Sequence, residues 1–309
     1  MSKGKFQVLL YYKYVDIKNP KELLEQQKTL CETFNLKGRI IISYEGINGT
    51  LEGKTSDTEK YIKEMNKNNY FKDIFFKKSI SNGKAFPKLS IKLRNEIVSA
   101  HLGNDIKPTK VCGKYITAEE LHEWICLKKE FYIIDMRNDY EQAVGYFKNS
   151  LLAPFENFRD LPKVLPKIKQ LKGKTIVTVC TGGVRCEKAS GFLLQNGFSD
   201  VYQLYGGIVS YIEKYPNQDF LGVLYVFDGR VTLGFNTRSK KHQVVGKCKF
   251  CLSPAENYFD CKNIYCQGSR HFVSCGGCIK EGLGYCSKAC GQLIKPPGGT
   301  LALYPGEGI

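Results

Sequence analysis

Apolar positions in the first hundred residues switch between a period of two and a period near 3.6, which predicts alternating strands and helices. Phe6–Lys13 reads as a strand. Asn19-Pro20 then supplies an N-cap and first-turn pair for a helix with Leu23, Leu24, Leu30, Cys31 and Phe34 on one face. A strand of buried type follows at Arg39–Ser43, a turn at Glu45–Asn48, and a return strand at Gly49–Glu52. A second helix fits Thr58–Asn66, with further strands at Ile74–Lys78 and Leu89–Leu93. Two β-α-β passes of this kind predict a ferredoxin-like α+β sandwich over residues 1–107.

Pro108–Gly113 reads as a linker, and Thr117 with Glu120 makes a capping box for a helix presenting Leu121, Trp124 and Ile125. From there strand and helix alternate: Tyr132–Asp135, a loop with Pro154, a helix near Leu161–Leu171, Thr175–Val179, a helix at Cys186–Gln195 and Val201–Leu204. That alternation predicts an α/β domain with a parallel sheet over residues 113–220. Cys180 then stands at the carboxyl end of a strand, where open α/β sheets collect their ligands. A Cys-rich module is expected over 221–292 and a loosely ordered Pro/Gly-rich tail over 293–309.

The charge is unevenly spread. The 309 residues carry a net +16, but residues 60–114 hold 13 Lys and Arg against 4 Asp and Glu, a balance of +9. Residues 115–228 hold 13 against 14, and residues 229–309 hold 11 against 4. A near-neutral middle between basic flanks is the pattern expected of a catalytic segment whose neighbours grip a polyanion, a nucleic acid being the preferred partner, and the alternative is that the lysines only decorate solvated faces. Arg230, Arg238, Lys240, Lys241, Lys247 and Lys249 are candidates for such contact. No apolar run approaches the ~18 residues of a membrane helix, and no signal segment opens the chain. A cytoplasmic protein without a membrane partner is expected.

The chemistry concentrates in CTGGVRC, Cys180–Cys186. A helix N-terminus and an arginine both stabilise a thiolate, and this loop offers both to Cys180. Thr181, Gly182, Gly183 and Val184 can turn their N–H groups inward as a nest above the sulfur. Arg185 falls five residues after Cys180, one short of a cysteine-phosphatase loop, and Val179 stands where those enzymes carry histidine. No neighbouring histidine offers a base for a Cys-His hydrolase. Asp135 and Arg137 either shape the thiol pocket or brace neighbouring loops, the bracing role being preferred. Cys186 closes the loop and could resolve an oxidised Cys180, but the preferred expectation is that it begins the next helix and points away from Cys180. In EGINGT, Glu45–Thr50, the glycines fit a tight turn, and Glu45 and Asn48 are candidates for facing a substrate.

Eight of the 13 cysteines lie between Cys248 and Cys290. Cys248, Cys251, Cys261, Cys266, Cys275, Cys278, Cys286 and Cys290 fit two tetrahedral zinc sites, structural because thiolates fill them, in a segment too short and polar for a core of its own. Cys286 and Cys290 are expected to complete the site begun by Cys248 and Cys251, and His242 and His271 to be surface residues.

The loop at Cys180, the strand and turn YIIDMRNDYE at Tyr132–Glu141, and YQLYGGIVSY at Tyr202–Tyr211 resemble a rhodanese domain. With GRIIISYEGINGTLEG at Gly38–Gly53, VFDGRV at Val226–Val231 and the terminal cysteine pairs, nearly the whole chain resembles the bacterial rhodanese-domain tRNA uridine hydroxylases. The resemblance implies oxygen-dependent hydroxylation of the wobble uridine of tRNA to 5-hydroxyuridine, with Cys180 essential, molecular oxygen as co-substrate and no organic cofactor. A sulfurtransferase carrying a persulfide on Cys180 needs only the neutral middle domain, and a noncatalytic RNA-binding zinc protein needs only the flanks.

Overall fold

The computed structural model describes residues 5–102, 106–152, 156–263, 265–266 and 271–292. Pro154 and the tail over 293–309 lie outside the described residues.

The first domain runs β1 (Phe6–Tyr14), α1 (Pro20–Thr33), β2 (Lys37–Ser43), β3 (Gly46–Lys54), α2 (Thr55–Lys67), β4 (Lys77–Ser81) and β5 (Leu89–Leu93). Its sheet order is β4-β1-β3-β2-β5, antiparallel except for the parallel pair β2 and β5. The first four strands and two helices form the ferredoxin-like α+β sandwich, with β5 added at the edge. Asn19 caps α1 by accepting from the Glu22 N–H at 3.2 Å. The turn between β2 and β3 is shorter than expected, confined to Tyr44 and Glu45, so Asn48 sits inside a strand. Gly46 makes this possible: it has φ +147°, and a Cβ there would lie 2.1 Å from the Lys13 carbonyl oxygen. The strand expected at Ile74–Lys78 forms three residues later, because Ile74 and Phe71 turn down into the core instead.

Period-two alternation gives β1 two faces with different partners. Leu9 and Tyr11 point to the helices, joining Leu23, Cys31, Tyr61 and Met65 in one core. Leu10, Tyr12 and Tyr14 point the other way, onto the second domain.

That domain contains β6 (Lys114–Ile116), α3 (Ala118–Cys126), β7 (Tyr132–Asp135), α4 (Asp139–Gln142), β8 (Gly145–Phe147), β9 (Leu151–Leu152), α5 (Leu161–Ile168), β10 (Thr175–Val179), α6 (Val184–Gln195), β11 (Asp200–Leu204), α7 (Gly207–Lys214) and β12 (Phe220–Gly222). The sheet is β6-β11-β10-β7-β9, parallel throughout. Alternate residues feed a core on each face: Ile134 and Ile176 pack with Leu161, Leu193 and Phe198, while Ile133 and Val177 pack with Leu121, Ile208 and Tyr211. Helix α5 ends at Ile168 and tightens into a 3₁₀ turn at Lys169–Leu171, rather than continuing as one helix. The antiparallel pair β8 and β12 leads out of the domain toward the cysteine-rich segment.

The cysteine-rich segment opens with a short hairpin, β13 (Leu224–Tyr225) with β14 (Thr232–Leu233), and has a second, β15 (Tyr258–Asp260) with β16 (His271–Val273). Two one-turn helices, α8 (Gly276–Lys280) and α9 (Lys288–Gln292), complete it. The turn of the first hairpin carries VFDGRV. There Arg230 pairs with Asp228 at 2.6 Å and donates to Ser79 Oγ at 2.8 Å, so it ties this segment to β4 rather than standing free for nucleic acid. Arg238, Lys240, Lys241, Lys247 and Lys249 are exposed.

Candidate active site

β10 ends at Val179 and the chain turns through Cys180–Gly183 into α6, which starts at Val184, two residues before the sequence pattern suggests. Gly183, at φ +102°, makes that turn in the left-handed region where a side chain is disfavoured. Its N–H donates to Cys180 Sγ at 3.2 Å. The first N–H groups of α7 hold the loop from the other side: Ile208 donates to the Cys180 carbonyl at 2.9 Å and Val209 to that of Thr181 at 3.1 Å. Gly207 permits this approach, since a Cβ there would lie 2.6 Å from the Gly182 carbonyl carbon.

Burial pushes the Cys180 thiol up in pKa, but the Cys186 thiol donating to it, the Arg185 charge, and the N–H groups of Cys186 and Arg185 outweigh that. The balance is a thiol lowered to about 6. Cys186 therefore does not point elsewhere as expected. It is buried against Cys180, and burial together with its hydrogen bond to that sulfur raises its own pKa well above the usual thiol range.

Arg185 forms a bidentate buried pair with Glu141, at 2.5 Å and 2.7 Å, and Thr181 Oγ1 donates to the same carboxylate at 3.2 Å. Burial would lower the Arg185 pKa, but Glu141 and then Cys180 hold it up, so the guanidinium stays charged. Arg185→Met leaves Glu141 buried without its partner, which costs about 3–5 kcal/mol of stability. The same substitution moves the Cys180 titration upward, toward the ordinary thiol range. The check is the thiolate ultraviolet absorption against pH, taken as the difference from Cys180→Ala. In the wild type the thiolate signal is lost as pH falls through about 6, and in Arg185→Met it is lost at higher pH.

Arg137 is fully buried behind the loop. It donates to both Asp135 oxygens and to the carbonyls of Glu141 and Gly145, so it braces the loop carrying Glu141. Glu45 accepts from the Ile97 N–H at 2.7 Å and pairs with Lys188 at 2.9 Å, and Asn48 donates to the Ile97 carbonyl at 2.9 Å. Lys188, on α6, is gripped by Glu96 as well, at 2.7 Å. Glu45, Asn48 and Arg137 are held by protein groups, and none of them lines the cleft between the two domains that Tyr12 and Lys77 border.

The first domain covers the sulfur, which is 0 % exposed. The Tyr12 hydroxyl lies where a Gly183 Cβ would come within 2.8 Å, Tyr14 donates to the Val184 carbonyl at 3.1 Å, and Lys77 donates to the Gly182 carbonyl at 2.8 Å. Burial lowers Lys77 to about 8, with Cys180 and Glu187 resisting the shift. Beside this cover, between the two domains, lies a cleft of about 340 Å³ lined by residues that include Tyr12, Lys77, Phe75, Tyr115, Glu187 and Tyr205. Sequence reasoning missed these side chains, and also Glu141. Only the even-numbered apolar face of β1, left without a helix to pack on, signalled a partner for Tyr12 and Tyr14.

The eight clustered cysteines form two groups, Cys248, Cys251, Cys275 and Cys278, and Cys261, Cys266, Cys286 and Cys290, each with its sulfurs within 4.8 Å of one another. A tetrahedral ion bound at about 2.3 Å sets its sulfurs about 3.8 Å apart. The pairs Cys251 and Cys275 at 3.6 Å, Cys261 and Cys290 at 3.5 Å, and Cys266 and Cys286 at 3.5 Å fit that spacing. Both groups could therefore hold a metal ion. The expected partnership of Cys286 and Cys290 with Cys248 and Cys251 is wrong. β16 returns beside the first pair, with Lys249 N–H on the Val273 carbonyl at 2.9 Å, and delivers Cys275 and Cys278. Lys262 N–H on the Gly284 carbonyl at 2.8 Å brings Cys286 to Cys261. His242 is no surface residue either: its ring is largely buried between Asn217 at 3.1 Å and Glu256 at 3.0 Å. His271 is partly exposed. Among the described residues no helix is long and apolar enough to cross a membrane.

Three family models match in succession: the UPF0176 acylphosphatase like domain over residues 6–97, the Rhodanese-like domain over 117–214 and the Rhodanase C-terminal region over 221–291. The chain is 41% identical over 291 residues to the tRNA uridine(34) hydroxylase of Enterococcus faecalis, covering 93% of this chain and 90% of that one. It is 42% identical over 267 residues to the tRNA uridine(34) hydroxylase of Bacillus licheniformis, covering 85% and 82%. A solved structure of a rhodanese-related protein from Thermoplasma volcanium aligns with 33% of this chain and 92% of its own, at 30% identity and a TM-score of 0.28. With two relatives of one name matched over most of both lengths, the chain belongs to the tRNA uridine(34) hydroxylase family.

Proposed function

We propose that this protein hydroxylates uridine 34, the wobble uridine of tRNA, to 5-hydroxyuridine, with molecular oxygen as co-substrate and Cys180 as nucleophile. The observation that carries the reading is the state of Cys180: a sulfur held toward its anion by the Gly183 N–H and by Arg185, at the carboxyl end of a parallel strand. The name shared by the relatives supports the substrate and the reaction, and the exposed basic side chains on the flanking domains suit an RNA polyanion.

A thiolate adds to C6 of uracil, the electron-poor end of its conjugated double bond, and leaves C5 electron-rich. Oxygen reacts at C5, one of its atoms staying as the hydroxyl. The other leaves as water, taking two protons and two electrons from an external thiol reductant that is oxidised to its disulfide. Loss of the C5 proton and of the thiolate restores the conjugated ring. Arg185 stabilises the sulfur as an anion both before addition and after departure. The backbone of Thr181, Gly182, Gly183 and Val184 shapes the nest around it. No organic cofactor is called on.

The two four-cysteine groups suit zinc, a borderline-soft ion that takes four thiolates in a closed site. With no open position such a site is structural. Acting on tRNA, the protein works in the cytoplasm.

The reading is tested with purified protein, tRNA lacking the modification, isotopically labelled oxygen and an excess of a thiol reductant, followed by nucleoside mass spectrometry. Labelled 5-hydroxyuridine at the wobble position is expected. Thiolated uridine would make the protein a sulfurtransferase, and unchanged tRNA bound without reaction would make it a noncatalytic RNA-binding protein.

A further inference from the structure

The buried sulfur of Cys180 can meet a base only if something above it moves. Its cover is made of a few side chains from one sheet: Tyr12 and Tyr14 from β1 and Lys77 from β4. The same three also line the interdomain cleft. A ligand in the cleft is thus separated from the loop by the side chains that roof it.

The rest of the cleft is aromatic in an unusual way. Phe75, Tyr115 and Tyr205 are 41%, 51% and 43% exposed, although large apolar rings ordinarily lie buried. They come from the loop before β4, from β6 and from the turn after β11, and meet here. Phe75 and Tyr205 are stacked, with centroids 5.2 Å apart and planes 20° apart, and Tyr115 stands edge-on to Tyr205 at 5.6 Å. Exposed rings beside a cation make a platform on which any nucleobase stacks. Lys77 supplies the cation, 5.5 Å from the Phe75 ring centroid and 4.8 Å from that of Tyr12.

The polar groups are those a uracil edge needs. Glu187 Oε1 accepts from the Tyr12 hydroxyl at 3.0 Å and from the Tyr115 hydroxyl at 2.7 Å. Uracil presents one N–H between two carbonyls, which an acceptor between two donors complements. The hydroxyls now turned to Glu187 can turn to those carbonyls, leaving the carboxylate for N3–H. A volume of about 340 Å³ is at the small end of ligand sites.

We propose that this cleft seats the flipped-out uracil of the target nucleotide, stacked on the Phe75 and Tyr205 platform, with Tyr12 and Lys77 as the gate to Cys180. The proposal rests on the hydroxylase reading and deepens it.

The test uses the full chain and two anticodon stem-loops, one with uridine and one with an abasic residue at the wobble position. Wild type is expected to bind the uridine form about tenfold more tightly, the effect of one base-aromatic stack. In Tyr205→Ala and Phe75→Leu that ratio falls to about one, while affinity for the abasic form is kept. An equal ratio in wild type, or an unchanged ratio in the variants, overturns the seat. Phe75→Leu keeps apolar bulk at a half-exposed position, so it decides the matter if Tyr205→Ala does not fold. Hydroxylation measured alongside separates the two ideas. If wild type makes 5-hydroxyuridine and the ratios do not change, the seat alone falls. If it makes none, the hydroxylase reading falls.

Discussion

Cys180→Ala is expected to abolish 5-hydroxyuridine formation, by about three orders of magnitude or more, because a nucleophile has no substitute within the loop. The neighbouring thiol cannot take over. Cys186 is buried with its pKa raised well above the usual range, so it is protonated at neutral pH and occupied in donating to Cys180. The variant should fold normally. The Arg185 and Glu141 pair does not depend on the sulfur, and removing one buried sulfur leaves a cavity no larger than the atom itself. The measurement is nucleoside mass spectrometry of tRNA from a deletion strain carrying either wild type or the variant. Wild-type levels of hydroxylated uridine in the Cys180→Ala strain would remove Cys180 from the chemistry and with it the proposed mechanism.

The second large effect is expected from the metal. Each structural zinc contributes on the order of 10 kcal/mol of apparent folding free energy, and among the described residues the segment's cysteines pack into two small apolar clusters, one of them shared with Val144. Protein purified under reducing conditions should hold two zinc ions, and Cys278→Ala one. Chelation should unfold the segment and also lower activity. The link is physical: Cys248 and Ala255 pack on Val144 and Val223, and the Tyr258 hydroxyl donates to the Tyr140 carbonyl. Tyr140 precedes Glu141, which orients Arg185 beside Cys180. Metal analysis finding no zinc would refute the assignment, and full activity in the chelated protein would refute the link.

Much of the first and second domains was legible in the alternation of residues, because local periodicity and capping act over a few positions. The Thr117 and Glu120 capping box forms as read, and the run Thr175–Val179 is the central strand that ends on Cys180. Boundaries slipped where a side chain had a better use elsewhere. Ile74 left its expected strand for the core, and Asn48 left its expected turn because Gly46 let β3 begin at once.

Read alone, the chain determined that a reactive thiol follows a buried strand, that glycines and an arginine surround it, and that two sets of four thiols lie near the end. Each is a matter of residue type at short spacing. Tertiary structure decided what closes over that thiol and which cysteines share a site. Tyr12 reaches Glu187 across 175 positions, and Cys261, just past β15, meets Cys290 across 29. Such pairings depend on how sheets stack and strands return, and no local pattern of residues encodes them.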